Sequence, residues 1–307
     1  MTESHTPPDS HAHPHPESRP AAPPLAGDRP LIEVHAHFHS AHGGRADWRA
    51  VNAARLRAGR RIGITCHVAS VLGSWGHTSP VYFPSPPDVV QGNDAMLALQ
   101  AEHGTEVRAY VVVNPNHPDH ALGEIDRCVR LGAIGVKLLA SRRADDPLLD
   151  AVAADAARRG LPVLHHIWQH RQRHWPSQDI SDGADLARLA ERHPSACFIL
   201  AHIGGGGDYA HTFAAVRHVP NVYLDLSGSG VDRGMLDDAL GAVGAARLLW
   251  GSDVTMETGL AKLLALEVIG LSSAELDLVR WGNARRIFPP GSFPALDHVA
   301  VATEDDA

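Results

Sequence analysis

The chain has 307 residues, 44% of them hydrophobic and 20% charged, which suits one large folded domain or two small ones and argues against wholesale disorder. With 27 basic and 35 acidic side chains the net charge is −8, a poor match for a phosphate backbone or an anionic membrane surface. Two counts stand apart from this ordinary background: 22 histidines, and only two lysines, Lys137 and Lys262.

Residues 1–28 are rich in Pro, His, Ser and Ala and hold almost no large apolar side chain, so they read as a disordered tail. His5, His11, His13 and His15 could chelate a metal loosely there. Strand-like apolar runs follow at Leu31–Val34, Ile62–Ser70, Val107–Val113, Ile134–Leu139, Leu161–Leu164, Cys197–Ala201, Val222–Leu226 and Arg247–Trp250. Helical patterns alternate with them, among them Trp48–Ala58, Asp94–Glu102, His120–Leu131, Leu148–Arg159 and Asp182–Arg192. Gly104, Gly132 and Gly160 fall where helix C-caps are expected. Gly73–Gly92 reads as one long connection after the second strand, with Trp75, His77, Tyr82 and Phe83 available to cap a pocket. Residues 291–307 read as a second tail. Repeated strand–helix alternation implies parallel strands, and eight units in about 260 residues predict an α/β fold with a single (β/α)8 TIM barrel over residues 29–290.

That topology gives position a chemical meaning, because a barrel brings the C-terminal ends of all its strands to one mouth. The first strand ends in Glu33-Val34-His35-Ala36-His37, and residues two apart share a face, so His35 and His37 look into the mouth together. The fifth strand ends in His165-His166, the sixth in His202, and the eighth in Gly251-Ser252-Asp253. Three histidine positions and one carboxylate make a ligand set for a divalent ion with room for water. No dinucleotide fingerprint, P-loop or nucleophile elbow competes with it. Cys66, Cys128 and Cys197 have no CxxC spacing, which points to a reducing compartment, and no apolar run is long enough to span a membrane. A cytoplasmic protein is the expectation.

The chain resembles the amidohydrolase superfamily, in the amidohydrolase-related branch that includes aminocarboxymuconate-semialdehyde decarboxylase. The motifs that carry the resemblance are EVHAHFH at 33–39, GVKLL at 135–139, PVLHHIW at 162–168, FILAHIGGG at 198–206, LLWGSDVTM at 248–256 and GNARRIF at 282–288. It implies one divalent metal, zinc in the first instance with manganese, iron or cobalt as alternatives, held by His35, His37, His166 and Asp253. It implies His202 and Asp253 as catalytic groups, and it places His166 rather than His165 at the metal. Lys137, on the fourth strand, is a substrate contact or a partner for Glu33, and Trp168 and Arg171 join it on the substrate side; carboxylation of Lys137 would signal a second metal. Glu33 stands where many members carry Asp.

The leading expectation is a metal-dependent hydrolase that attacks a small amide, lactone or ester through a metal-activated water. The alternative keeps the site and changes the reaction to non-oxidative decarboxylation of a small unsaturated or aromatic acid. A third reading is a metal-binding protein without enzyme activity. The expected partner is a small-molecule substrate, not nucleic acid or membrane, and a homo-oligomer is compatible with the sequence.

Overall fold

The structure, a computed structural model, describes residues 29–72, 82–167, 181–203, 209–228, 233–254 and 256–300. Eight parallel strands form one sheet in chain order. They are β1 (Leu31–His39), β2 (Ile64–Leu72), β3 (Val107–Val113), β4 (Gly135–Leu138), β5 (Pro162–His165), β6 (Cys197–Leu200), β7 (Val222–Asp225) and β8 (Leu248–Leu249). The seam between β8 and β1 closes where the Val34 amide donates to the Trp250 carbonyl at 3.0 Å and the Asp253 amide to the His35 carbonyl at 2.8 Å. Each strand is followed by a helix: α1 (Trp48–Arg61), α2 (Pro86–His103), α3 (Pro118–Arg130), α4 (Asp150–Arg159), α5 (Gly183–Arg192), α6 (Tyr209–Val216), α7 (Arg233–Val243) and α8 (Met256–Val268). The protein is a (β/α)8 barrel. Two short helices, α9 (Ser273–Asp277) and α10 (Asn283–Ile287), follow α8 and are joined by a π-helical turn. Among the described residues no helix is long and apolar enough to cross a membrane.

Parallel strands are buried on both faces, which is why their sequences read as unbroken apolar runs. Val111, Val136, Val163, Phe198 and Leu200 belong to the large cluster shared with the helices, whereas Val34, Val68, Tyr110, Leu164 and Ile199 belong to a second cluster that fills the barrel. Trp281, Phe288, Phe293 and Leu296 join the second cluster and plug the end opposite the mouth. Residues 291–300, expected as part of a tail, thus supply two core side chains, Phe293 and Leu296. The N-terminal tail and residues 301–307 lie outside the described residues.

The helix starts follow local chemistry. α2 begins at Pro86, well before the predicted Asp94, and shortens the long connection. Ser85 caps it by accepting from the Asp88 amide, and prolines fill first-turn positions whose N–H groups have no intrahelical acceptor. Trp75 and His77 lie outside the described residues; Tyr82 is described, with φ +65°. Gly104, Gly132 and Gly160 adopt φ of +58°, +97° and +65°, the left-handed geometry their predicted cap positions require.

β1 departs from strict alternation. Glu33 faces His67 and Ala36 faces Ala69, so β1 takes three residue steps where β2 takes two. This is a β-bulge. It leaves Val34, His35 and His37 facing inward and puts Glu33 on the helix side, where Arg55 of α1 donates to it at 2.5 Å. Both lysines are buried: Lys137 is fully enclosed, and Lys262 on α8 donates to the Gly228 carbonyl at 2.5 Å.

His165 shares the outer face of β5 with Val163 and is fully buried. Its Nδ1–H donates to the His166 carbonyl at 3.0 Å, and its Nε2 has no hydrogen-bond partner among the described residues. Burial pushes its pKa down to about 4. The unfolded chain therefore binds a proton near pH 6.5 that the folded chain refuses, so stability is full above that pH and falls as the pH drops toward 4. We expect the loss between pH 7 and pH 5 in urea unfolding of the metal-free protein to shrink by about 2 kcal/mol in His165→Leu relative to the parent chain.

Candidate metal centre

The site is assembled from strand ends. His35 is presented by β1, and its Nδ1–H donates to the Asp225 carboxylate at the end of β7, 2.6 Å away; Ser227 Oγ lies 3.1 Å from the same nitrogen. A carboxylate only accepts, so this bond fixes the proton on Nδ1 and turns the Nε2 lone pair into the mouth. Ser70 on β2 lies 3.1 Å from His37 Nδ1 and orients that ring likewise. His202, just past β6, donates from Nδ1 to the Ile167 carbonyl at 2.9 Å, which leaves its Nε2 free to face Asp253.

The Nε2 atoms converge. Those of His35 and His37 are 3.2 Å apart. His37 Nε2 is 3.3 Å from Asp253 Oδ1, His35 Nε2 is 3.8 Å from the same oxygen, and His202 Nε2 is 3.4 Å from Asp253 Oδ2. The donor atoms of His35, His202 and Asp253 all lie within 4.8 Å of one another, a spacing one ion can bridge. Imidazole and carboxylate donors suit zinc, manganese, iron or cobalt, so the residues present fit a divalent metal.

His166 packs edge-on against His202 with ring centroids 4.3 Å apart, and the Tyr82 ring lies 5.1 Å from it on the other side. Of the predicted ligands the structure thus brings His35, His37 and Asp253 into direct proximity and sets His166 one ring away. His202 is as close to Asp253 as His37 is. His165 points to the helices. Three residues here have left-handed backbones without being glycine, Tyr82 at φ +65°, His202 at φ +62° and Asp253 at φ +58°, strain of the kind found where side chains must be aimed.

Lys137 differs from the expectation that paired it with Glu33. The bulge in β1 turns Glu33 away, and Lys137 Nζ instead donates to His35 Nε2 at 2.9 Å. Burial lowers its pKa to about 8, against the opposing pull of Asp253 and Asp225. Burial likewise pushes His37 down to about 3 and lowers His35, His202 and His166, so these rings are neutral at pH 7 and offer lone pairs. Burial alone would raise the Asp253 carboxyl, but His202, His35, His37 and Lys137 outweigh it and hold Asp253 well below the usual range. Trp168 and Arg171 lie outside the described residues. Sequence reasoning did not single out Asp225 or Ser227; the available signal was an Asp ending a barrel strand, the position where such folds place functional side chains.

The family model described as Amidohydrolase matches residues 9–289. The chain belongs to the amidohydrolase family. No curated protein matches it. Among solved structures this amidohydrolase is similar to 2,6-dihydroxybenzoate decarboxylase from Rhizobium, with a TM-score of 0.64 at 17% identity over 84% of this chain and 98% of that one. It is similar to a dihydroxybenzoic acid decarboxylase from Polaromonas with bound manganese and 2-nitroresorcinol, with a TM-score of 0.64 at 18% identity over 84% and 96%. A third likeness is to 5-carboxyvanillate decarboxylase from Novosphingobium aromaticivorans complexed with manganese, with a TM-score of 0.65 at 14% identity over 88% and 99%. At such identities these likenesses establish the shared barrel.

If the Asp225 bond orients His35 for a metal, Asp225→Asn should keep the fold by circular dichroism while lowering affinity for Mn²⁺ or Zn²⁺ by about 10–100-fold in calorimetric titration.

Proposed function

We propose that this amidohydrolase is a metal-dependent, non-oxidative decarboxylase of a small aromatic acid. The observation that carries the reading is the charge pattern at the mouth: several neutral imidazoles, the Asp253 and Asp225 carboxylates, and the fully buried ammonium of Lys137, 2.9 Å from His35. Such a site has a surplus of positive charge to meet an incoming carboxylate once a divalent ion is added. The similarity to three decarboxylases that act on hydroxylated aromatic acids supports it.

In this proposal His35, His37, His166 and Asp253 hold one divalent ion, manganese or zinc, which when bound supplies a Lewis acid that offsets the negative charge of the substrate. Lys137 complements the substrate carboxylate from the barrel floor, and Trp168 and Arg171 contact the ring and its substituents. His202 Nε2 and Asp253 Oδ2, 3.4 Å apart and unprotonated in the resting site, take up one proton from solvent between them when the substrate binds. Arrival of an anion raises the proton affinity of both groups. Transfer of that proton to the ring carbon bearing the carboxylate forms a C–H bond. The bond from that carbon to the carboxylate then breaks, CO₂ leaves, and the electron pair restores the aromatic ring.

A second reading, hydrolysis of a small amide, lactone or ester, rests on the family match. Incubation of the metal-loaded protein with 2,6-dihydroxybenzoate, 5-carboxyvanillate and a panel of aryl esters separates the two. We expect CO₂ release from at least one acid, lowered by about 10²–10⁴-fold in Asp253→Asn. Ester cleavage without CO₂ release from any acid would move the assignment to hydrolysis.

A further inference from the structure

On the helix side of β1, behind the metal centre, lies a second buried cluster that the proposed chemistry does not use. Glu33 has no exposed surface. Its Oε1 accepts from Arg55 Nη2 at 2.5 Å and from the Ser252 amide at 3.2 Å, and the Ser252 hydroxyl donates to the same oxygen. Its Oε2 pairs with His67 Nδ1 on β2. Arg55 Nη2 also donates to Ser252 Oγ at 2.7 Å, and the Arg55 side chain is only 9% exposed. One carboxylate and one guanidinium therefore tie α1, β1 and β2 to the segment that follows β8.

Ser252 is the residue before Asp253. A φ of +58° is uncommon for a residue with a side chain, although Asp enters this region more readily than most, and contacts around Asp253 help to hold it there. The chain beyond gives little support, because Val254 is 47% exposed. On the near side, the Asp253 amide donates to the His35 carbonyl at 2.8 Å, and the adjoining Ser252 is held by Glu33 and Arg55.

We propose that Glu33 and Arg55 are positioning residues for Asp253. Glu33 takes Ser252 by both its amide and its hydroxyl, Arg55 bridges the two partners, and the clamp keeps the Asp253 carboxylate turned toward His37 and His202. The inference rests on reading Asp253 as a metal ligand and proton carrier, and it adds a second layer to that site. It also gives the bulge a purpose: without the extra residue in β1, Glu33 would face the barrel and could not reach Arg55.

The test uses the full chain, freed of metal, as the parent protein and as Arg55→Met, Ser252→Ala and the double variant. Arg55→Met keeps the apolar stem, and Ser252→Ala removes one hydroxyl and leaves the Glu33–Arg55 pair intact. Amide hydrogen exchange is read on a peptide spanning 250–254 and on a reference peptide over β4. We expect exchange at 250–254 to quicken by about 10-fold or more in both single variants while β4 is unchanged. We expect Mn²⁺ affinity in calorimetric titration to fall by about 10-fold or more. The double variant should lose no more than Arg55→Met, because both act through one contact. Unchanged exchange at 250–254, equal quickening of both peptides, or additive losses would each overturn the clamp. Failure of the parent chain to take up Mn²⁺ would overturn the metal reading alone, and the exchange result would still decide the clamp.

Discussion

The hydrogen bond between His35 and Asp225 joins strands that are not neighbours. β8 lies between β1 and β7, yet the two side chains meet at 2.6 Å with no exposed surface. They can do so because β8 is two residues long and continues as Gly251. A Cβ at Gly251 would stand 2.3 Å from Asp225 Oδ1 and 3.0 Å from the His35 Cβ. No other residue fits there without displacing a buried carboxylate. Closing the barrel and aiming its first histidine are thus one structural event, and the remaining site geometry is built outward from it.

The same burial sets the charge state of the site. Imidazoles withdrawn from water resist protonation, so His35, His37, His166 and His202 stand as lone-pair donors, not cations. The Asp253 carboxylate among them is held ionised by its neighbours. Lone pairs packed at 3.2 Å repel unless a positive charge lies beside them, and the Lys137 ammonium fills that need in the structure described. A divalent ion would meet the same need more strongly. The family assignment and this electrostatic arrangement are independent arguments that arrive at one place.

Most of this was legible in the sequence because it depends on periodicity and on position within a strand. The eight strands lie at or within a few residues of their apolar runs, and the pairing of His35 with His37 needs only the two-residue repeat of a strand. Besides Asp225, Ser227 and the core residues Phe293 and Leu296, three further features escaped, each for a physical reason. The bulge in β1 depends on the register with β2, which no local pattern records, and it moved Glu33 from the mouth to the helix layer. Arg55 reads as one more arginine on a basic helix, and only the tertiary fold buries it against Glu33. The early start of α2 was present in Ser85-Pro86-Pro87-Asp88 as a capping signal, hidden by the proline content that made the segment look like loop.

The two lysines carry a consequence for anyone handling the protein. Lys137 is fully enclosed in the barrel, and Lys262 is 2% exposed beneath α8, so the folded surface offers no lysine amine. Amine-directed dyes, crosslinkers and coupling resins find no lysine to grip on the native molecule. Burial holds both amines down to about 8 in the folded chain, and opening the fold returns them to water, where they react as ordinary lysines. Acylation of these two side chains would report openings of the barrel, and a ligand bound at the mouth would slow the reaction of both.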